Sequence, residues 1–483
     1  MADDGRERIR EASPAVARVL EALVAEAEIR RSRSGGRPMG PVRFLQSELR
    51  ARLLRERVFE DPTLLLTRLR RRGLLHELPE GRSDRAYLVP YPEHLKETLA
   101  PDRPPEVTHE PVTMPDEGRA LREMDDEFVR HLATVLSTRL EETLRFGRSL
   151  GVRELFAYLE GLFGPTLALD PMIALLQQYA LADVPLLAPT GRPTGSSGFH
   201  LALFGPPGTG KTFAIDDLVR GNPRQGVPPH GLPGRNRYCG GITPAQFLRV
   251  GAYYEGRTFN FIVPEFNDWF RYRGMVEPLK LVMEQRPVRW ETTFGSVGPY
   301  TFRSFFSVNY NVRTSGVSDY WTTVSDPNFA ALEDRMLLRF HPMTKERFRA
   351  VERSAERLEL GEIDFAWADR IRDHLTLVHA IQTRHPMVAG RWPHRPVRLG
   401  PAIYTALREV SERALEETDA PSFSPRLKSR AVRLASAAAI VGMLRDPTAR
   451  EIPIGTEEID FARRFYTEEI AARAGRRGAT DGR

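Results

Sequence analysis

The chain has 483 residues and a mass of 54.7 kDa, enough for about three domains. It is 41% hydrophobic and 28% charged, with a mean hydropathy of −0.38. This is a core-forming composition, and the lack of an apolar run of about 18 residues argues against a membrane span. The acidic start Met1-Ala2-Asp3-Asp4 has no secretory h-region, and the single cysteine, Cys239, excludes a disulfide framework and a multi-cysteine zinc site. A cytoplasmic location is the expectation. The formal charge is +6, and of 70 basic residues only five are lysine: Lys96, Lys211, Lys280, Lys345 and Lys428. The arginine excess does not by itself point to nucleic acid, but it makes each lysine worth locating.

Residues 1–100 hold 20 basic and 16 acidic residues, and 101–142 reverse this to 5 and 11. Prolines 101, 104, 105, 111 and 115 cross the change, which predicts a domain boundary. Before it, Val16, Val19, Leu20, Leu23 and Val24 space as one helix. Val42, Leu45, Leu49 and Leu53 space as a second, and Leu64, Leu65, Leu66 and Leu69 as a third that Gly73 ends. Leu74–Leu78, a polar turn over 80–85 and Ala86–Val89 predict a hairpin. This order resembles the winged helices of transcription regulators. That resemblance makes Arg68, Arg71 and Arg72 the candidate DNA-binding residues, with contact to a protein partner as the alternative.

Residues 101–198 read as an acidic, proline-rich linker and a helical segment. The linker ends in the punctuated stretch Pro185–Gly198. An apolar strand, 199–204, then leads into Gly205-Pro206-Pro207-Gly208-Thr209-Gly210-Lys211-Thr212, which fits the P-loop pattern G-x-x-x-x-G-K-[ST]. Glycines let the backbone turn several N–H groups toward phosphate oxygens, and the following helix start favours an anion. Lys211 brings a compact charge to the β/γ-phosphates, and the Thr212 hydroxyl suits Mg²⁺. ATP and Mg²⁺ are therefore the expected cofactors.

The form GPPGTGKT resembles the AAA+ branch of P-loop ATPases. The resemblance implies an α/β fold: a parallel sheet flanked by helices over 199–344, a helical lid over 345–470 and a disordered tail over 471–483. Phe259–Val263 followed by Pro264-Glu265 resembles a Walker B strand, which makes Glu265 the group that polarises the attacking water. Pro264 stands where the family has Asp, and Asp268 is the nearest substitute. Phe305–Asn309 resembles the sensor 1 strand, with Asn309 the sensor and Asn311 the alternative. Leu332 to Phe340 resembles the region of an arginine finger supplied by a neighbouring subunit, with Arg335 or Arg339 in that role. The helix 279–285, the glycine-bearing stretch to Arg303 and Gly240–Thr243 resemble the MCM helicases and MoxR-type ATPases.

Ser424-Pro425-Arg426-Leu427 resembles the MCM sensor 2 helix, with Arg426 reaching a phosphate. Thr456–Ala462 resembles the helix that closes that lid. The pre-sensor hairpin carries Arg289, Trp290 and Glu291 without the family's lysine. Together these resemblances imply a ring-forming ATPase, expected to be a hexamer, that remodels or translocates DNA. A MoxR-like protein-remodelling chaperone and a slow nucleotide-switched scaffold are the alternatives. The histidines form no zinc pattern, and Cys239 lacks a nucleophile's surroundings.

Overall fold

The computed structural model describes residues 14–33, 41–59, 61–78, 84–92, 94–95, 117–271, 274–292, 295–315, 319–324, 328–416 and 425–474. The chain divides into two compact units, Met1–Thr113 and Met114–Arg483. The proline-rich boundary segment, the hairpin tip 80–83, Ser424 and the tail from 475 lie outside the described residues.

In the first unit α1 (Pro14–Arg33) buries Val16, Val19, Leu20, Leu23 and Val24 along one face. Val42–Leu45 is strand β1, not the start of the second helix. Val42 and Phe44 are buried with Arg43 exposed between them, a period of two that pairs the strand with a neighbour. The helix α2 (Gln46–Arg55) starts just after it. Its first turn is closed by Glu48, which accepts the Leu45 N–H at 2.8 Å. Next come α3 (Thr63–Arg71), β2 (His76–Leu78) and β3 (Ala86–Val89). Gly73, at φ +71°, ends α3, and the Leu74 N–H bonds back to Leu69 O at 3.0 Å. That bond occupies a helix-end carbonyl in the manner of a Schellman turn. The sheet is antiparallel in the order β1-β3-β2.

The second unit opens with α4 (Glu117–Thr134), α5 (Leu140–Ser149), α6 (Val152–Phe163) and α7 (Leu169–Ala180), the last buried along its whole length. A hairpin, β4 (Pro185–Leu187) and β5 (Pro193–Ser196), precedes β6 (His200–Gly205). A π-turn over Phe213–Asp217 continues as α8 (Leu218–Arg220). There follow β7 (Asn236–Tyr238), α9 (Pro244–Tyr253), β8 (Asn260–Val263) and α10 (Val276–Met283). The hairpin β9 (Pro287–Thr292) and β10 (Gly295–Thr301) comes before β11 (Phe305–Ser315), β12 (Asp319–Thr322), α11 (Phe329–Glu333) and β13 (Met336–Phe340). The remainder is α12 (Lys345–Glu359), α13 (Ala368–Gln382), β14 (Val397–Arg398), α14 (Pro401–Glu416), α15 (Pro425–Val441), β15 (Ile452–Pro453) and α16 (Thr456–Ala474).

Five parallel strands form the central sheet in the order β13-β6-β11-β8-β7, and β12 pairs antiparallel with the extended end of β11. Both faces are covered. Along β6, Leu201 and Leu203 join a core built with α7, α13, α15 and α16, while Ala202 and Phe204 join one built with α9, α10 and β10. Alternation on a sheet buried on both faces explains the unbroken apolar run that marks β6 in the sequence. The helices between 117 and 180, within the stretch 101–198 that reads as a linker and a helical segment, thus share a core with the helices beyond 368. The helix α16 runs to Ala474, into the stretch expected to be disordered. Cys239 follows edge strand β7; it is buried, and its N–H bonds Ile262 O at 2.9 Å.

Candidate functional site

The segment 205–212 turns at the carboxyl end of β6. Gly208 and Gly210 hold φ of +78° and +84°, a region that only glycine adopts at low cost. A Cβ on Gly205 would lie 2.4 Å from His341 O, so the loop starts in backbone contact with the segment after β13. The ammonium of Lys211 is buried and donates to Gly205 O at 3.0 Å and Pro206 O at 2.7 Å. Burial lowers its pKa to about 8; nearby Glu265 opposes the shift and Arg347 adds to it.

Strand β11 lies between β6 and β8, with Asn309 opposite Leu203 and Val308 opposite Val263. This order brings three strand ends together. Asn309 is buried, and its Nδ2 donates to the Thr212 hydroxyl at 2.8 Å. Glu265 stands exposed two residues past β8. The alternative, Asn311, is engaged through its main chain: its N–H donates to Asn267 Oδ1 at 3.0 Å, and its carbonyl accepts from Thr323 at 2.8 Å. Asp268 pairs with Arg271 at 2.9 Å.

Beside the loop lies a cavity of about 230 Å³, lined mainly by apolar groups. Its lining includes Phe163, Leu167, Phe213 and Ala214, with Val351, Ala355 and Leu358 of α12. Asp217 and Gln225 stand at its rim. Burial raises the Asp217 pKa, against a hydrogen bond of 2.9 Å from Asn222.

Among the described residues no group of three His, Cys, Asp or Glu side chains is placed to hold a metal ion. A Mg²⁺ carried on phosphates keeps most of its water and needs few protein ligands. The exposed Thr212 hydroxyl, steadied by Asn309, fits that demand.

Other candidates lie at the opposite end of the sheet. Arg335 immediately precedes Met336, which is opposite His200 at the start of β6. Its guanidinium bonds Glu284 and Ala331 O. Arg426 donates to Asp334 at 2.8 Å and is half exposed. With Arg430, Arg433 and Glu284 they line a polar pocket of about 320 Å³. Arg433 donates to Gly198 O at 2.8 Å. Burial, followed by the neighbouring Arg433 charge, lowers the Arg430 pKa to about 10, and its Nε makes no hydrogen bond among the described residues. Neither Arg335 nor Arg426 shares this chain's P-loop end. The alternative finger, Arg339, is enclosed within its own chain, bound to Asp170 at 3.1 Å and Glu468 at 2.7 Å.

On β9, Arg289 is exposed and pairs with Glu291, whereas Trp290 is half buried against the sheet core. In the first unit Arg71 and Arg72 are exposed and Arg68 is half buried. Arg50, Arg70 and Arg85 line a polar pocket of about 220 Å³ with Thr63, Thr67 and Tyr87.

Sequence reasoning missed Asp170 and Arg347. The two pair at 2.6 Å, and Arg347 reaches the P-loop through Thr209 O. Their separation of 177 residues leaves no local spacing to read, and Arg347 is lost among the arginines. Compared with known proteins, the chain matches no family model and no curated protein.

Proposed function

We propose that the second unit is an AAA+ ATPase of the MCM/MoxR-like kind that works in a ring. The observation carrying this is the convergence of Lys211, Thr212, Asn309 and Glu265 at neighbouring strand ends, beside an apolar cavity of nucleobase size. In open α/β sheets ligands bind outside the carboxyl ends of the strands. The loop amides and Lys211 would receive the phosphates, and the cavity the base. Lys211 would leave the Gly205 and Pro206 carbonyls for the phosphate. Mg²⁺, held at Thr212, would neutralise phosphate charge. Glu265 would take the proton of the attacking water, and Asn309 would orient that water. The arginine pocket supports a ring: four arginines share it with the one carboxylate of Glu284, and a neighbour's nucleotide would supply further anionic partners. Arg335 is the finger in this reading because it lines that pocket with Arg426, the second phosphate contact, and it would exchange its Glu284 partner for the phosphate.

DNA is the proposed substrate, with the first unit as a winged helix. The favouring observation is the polar pocket lined by Arg50 of α2, Arg70 of α3, the helix that carries Arg71, and Arg85 before β3. A MoxR-like chaperone role fits the same ATPase, and a DNA-indifferent activity raised by a protein would select it. Pro264 motivates the slow-switch reading. One experiment separates these outcomes: ATP binding and turnover of wild type, Lys211→Ala and Glu265→Gln, with and without DNA at several salt concentrations. Lys211→Ala is expected to abolish binding. Glu265→Gln is expected to keep binding and lose turnover by about 10²- to 10⁴-fold. Turnover equal in wild type and Glu265→Gln would reject the catalytic assignment, and stimulation by DNA should weaken with salt.

A further inference from the structure

Arg347 touches no phosphate in the reading above, yet its guanidinium closes on the phosphate loop. Its Nε and Nη2 both donate to the Thr209 carbonyl, at 3.2 and 2.9 Å. In a trans peptide the carbonyl of one residue and the N–H of the next point to opposite sides. Holding the Thr209 oxygen therefore aims the Gly210 N–H away from Arg347. The hold matters because residue 210 is glycine: with no Cβ, it allows the peptide to turn over at little cost.

The guanidinium is itself fixed. Nη2 also donates to Asp170 Oδ2 at 2.6 Å and lies 2.9 Å from His341 Nδ1, and all three side chains are buried. Arg347 is always charged, so Nδ1 of His341 accepts and its proton sits on Nε2, which lies 3.2 Å from Asp170 Oδ1. At the main chain, the Arg347 N–H donates to the Thr344 hydroxyl at 3.0 Å, the N-cap of α12. The same helix supplies Val351, Ala355 and Leu358 to the cavity wall.

We propose that Arg347 is a positioning residue that sets the Gly210 amide toward a nucleotide phosphate, and so ties the cavity-lining helix to the phosphate loop. The proposal rests on the nucleotide reading of the loop. The test is calorimetric titration of the full chain with MgADP, MgATP and adenosine, in wild type, Arg347→Gln, Arg347→Lys and Lys211→Ala. Arg347→Gln is expected to weaken both nucleotides about tenfold or more while adenosine changes less than about twofold. Arg347→Lys, which keeps the charge but not the paired donors, should fall between.

Equal weakening of adenosine and nucleotide, or nucleotide affinity unchanged in Arg347→Gln while Lys211→Ala abolishes it, overturns the role alone. A wild-type chain that binds no nucleotide overturns the nucleotide reading and this role with it. Should Arg347→Gln not fold, Thr344→Ala loosens the same anchor from the surface. It is expected to weaken MgADP about two- to fivefold with adenosine unchanged, and no change in MgADP affinity would overturn the role.

Discussion

At the carboxyl end of β6 a buried lysine folds back onto its own loop carbonyls, and the buried Arg347 guanidinium bonds Thr209 O beside it. At the amino end of the same strand, about 17 Å away by strand rise, Arg335, Arg426, Arg430 and Arg433 crowd one polar pocket. In the proposed reading the first end would meet phosphate with backbone amides and a point charge, on a turn that glycines shape. The second offers planar forks on side chains, which suit phosphate by bidentate contact. At the first end the Lys211 ammonium is held by the Gly205 and Pro206 carbonyls. The second leaves the buried Arg430 Nε without a partner among the described residues. The difference teaches that one strand carries a backbone-shaped loop at one end and a side-chain cluster at the other, which the proposed ring would bring together across neighbouring copies.

The largest expected effect tests that division. Arg335→Ala should lower ATP turnover about 10³-fold or more without changing nucleotide affinity. Mixing it with Lys211→Ala should restore activity, because each variant supplies the end the other lacks. Steady-state turnover of the mixture checks this, and activity no greater than the sum of the two variants alone would break the comparison.

A smaller effect sharpens the lysine end. Polyphosphate prefers the ammonium form, and the free Lys211 titrates near pH 8. Nucleotide affinity should be flat below that pH and fall about tenfold per unit above it, until the bound state also loses its proton. Because Glu265 favours the charged lysine, Glu265→Gln should move the onset to lower pH. Dissociation constants measured from pH 6.5 to 9.5 would show both shifts.

The smallest effect per group concerns two buried histidines, one at each end. His200 borders the arginine pocket and has its pKa lowered to about 3; His341 borders the P-loop and has its pKa lowered to about 4. Burial is the main cause for both. Their neutral forms contribute stability that is fully present above pH 6.5 and is lost as the pH falls toward the folded values. Each should remove about 1.4 kcal/mol per pH unit below 6.5. Denaturant melts between pH 7 and 4.5 check the slope, and His200→Gln or His341→Gln should each reduce it by one proton.

How far the sequence spoke depended on distance along the chain. The glycine-shaped loop was legible because its pattern lies in eight consecutive residues, and the strands before Glu265 and Asn309 because sheets buried on both faces force apolar runs. The carboxyl-end convergence was not legible, since it needs the order β6-β11-β8, and no local pattern states that order. Strand β1 was misread because Val42 and Leu45 extend the helical spacing of Leu49 and Leu53; the buried Phe44 was the contrary sign. Arg347 shows the limit from composition. Where arginine is abundant, its identity says little, and only its bonds to Thr209 and Asp170 single it out.

Cys239 adds a consequence of a different kind. It is the only thiol of the chain, buried beside the edge strand β7, and burial raises its pKa. Burial shields the thiol from an alkylating reagent, and the Cys239 N–H bond to Ile262 O ties this margin to β8. The rate at which label enters an otherwise untouched molecule is thus a clock for local opening of the sheet margin. Comparing that rate with and without nucleotide would report whether filling the far side of the sheet stills its edge.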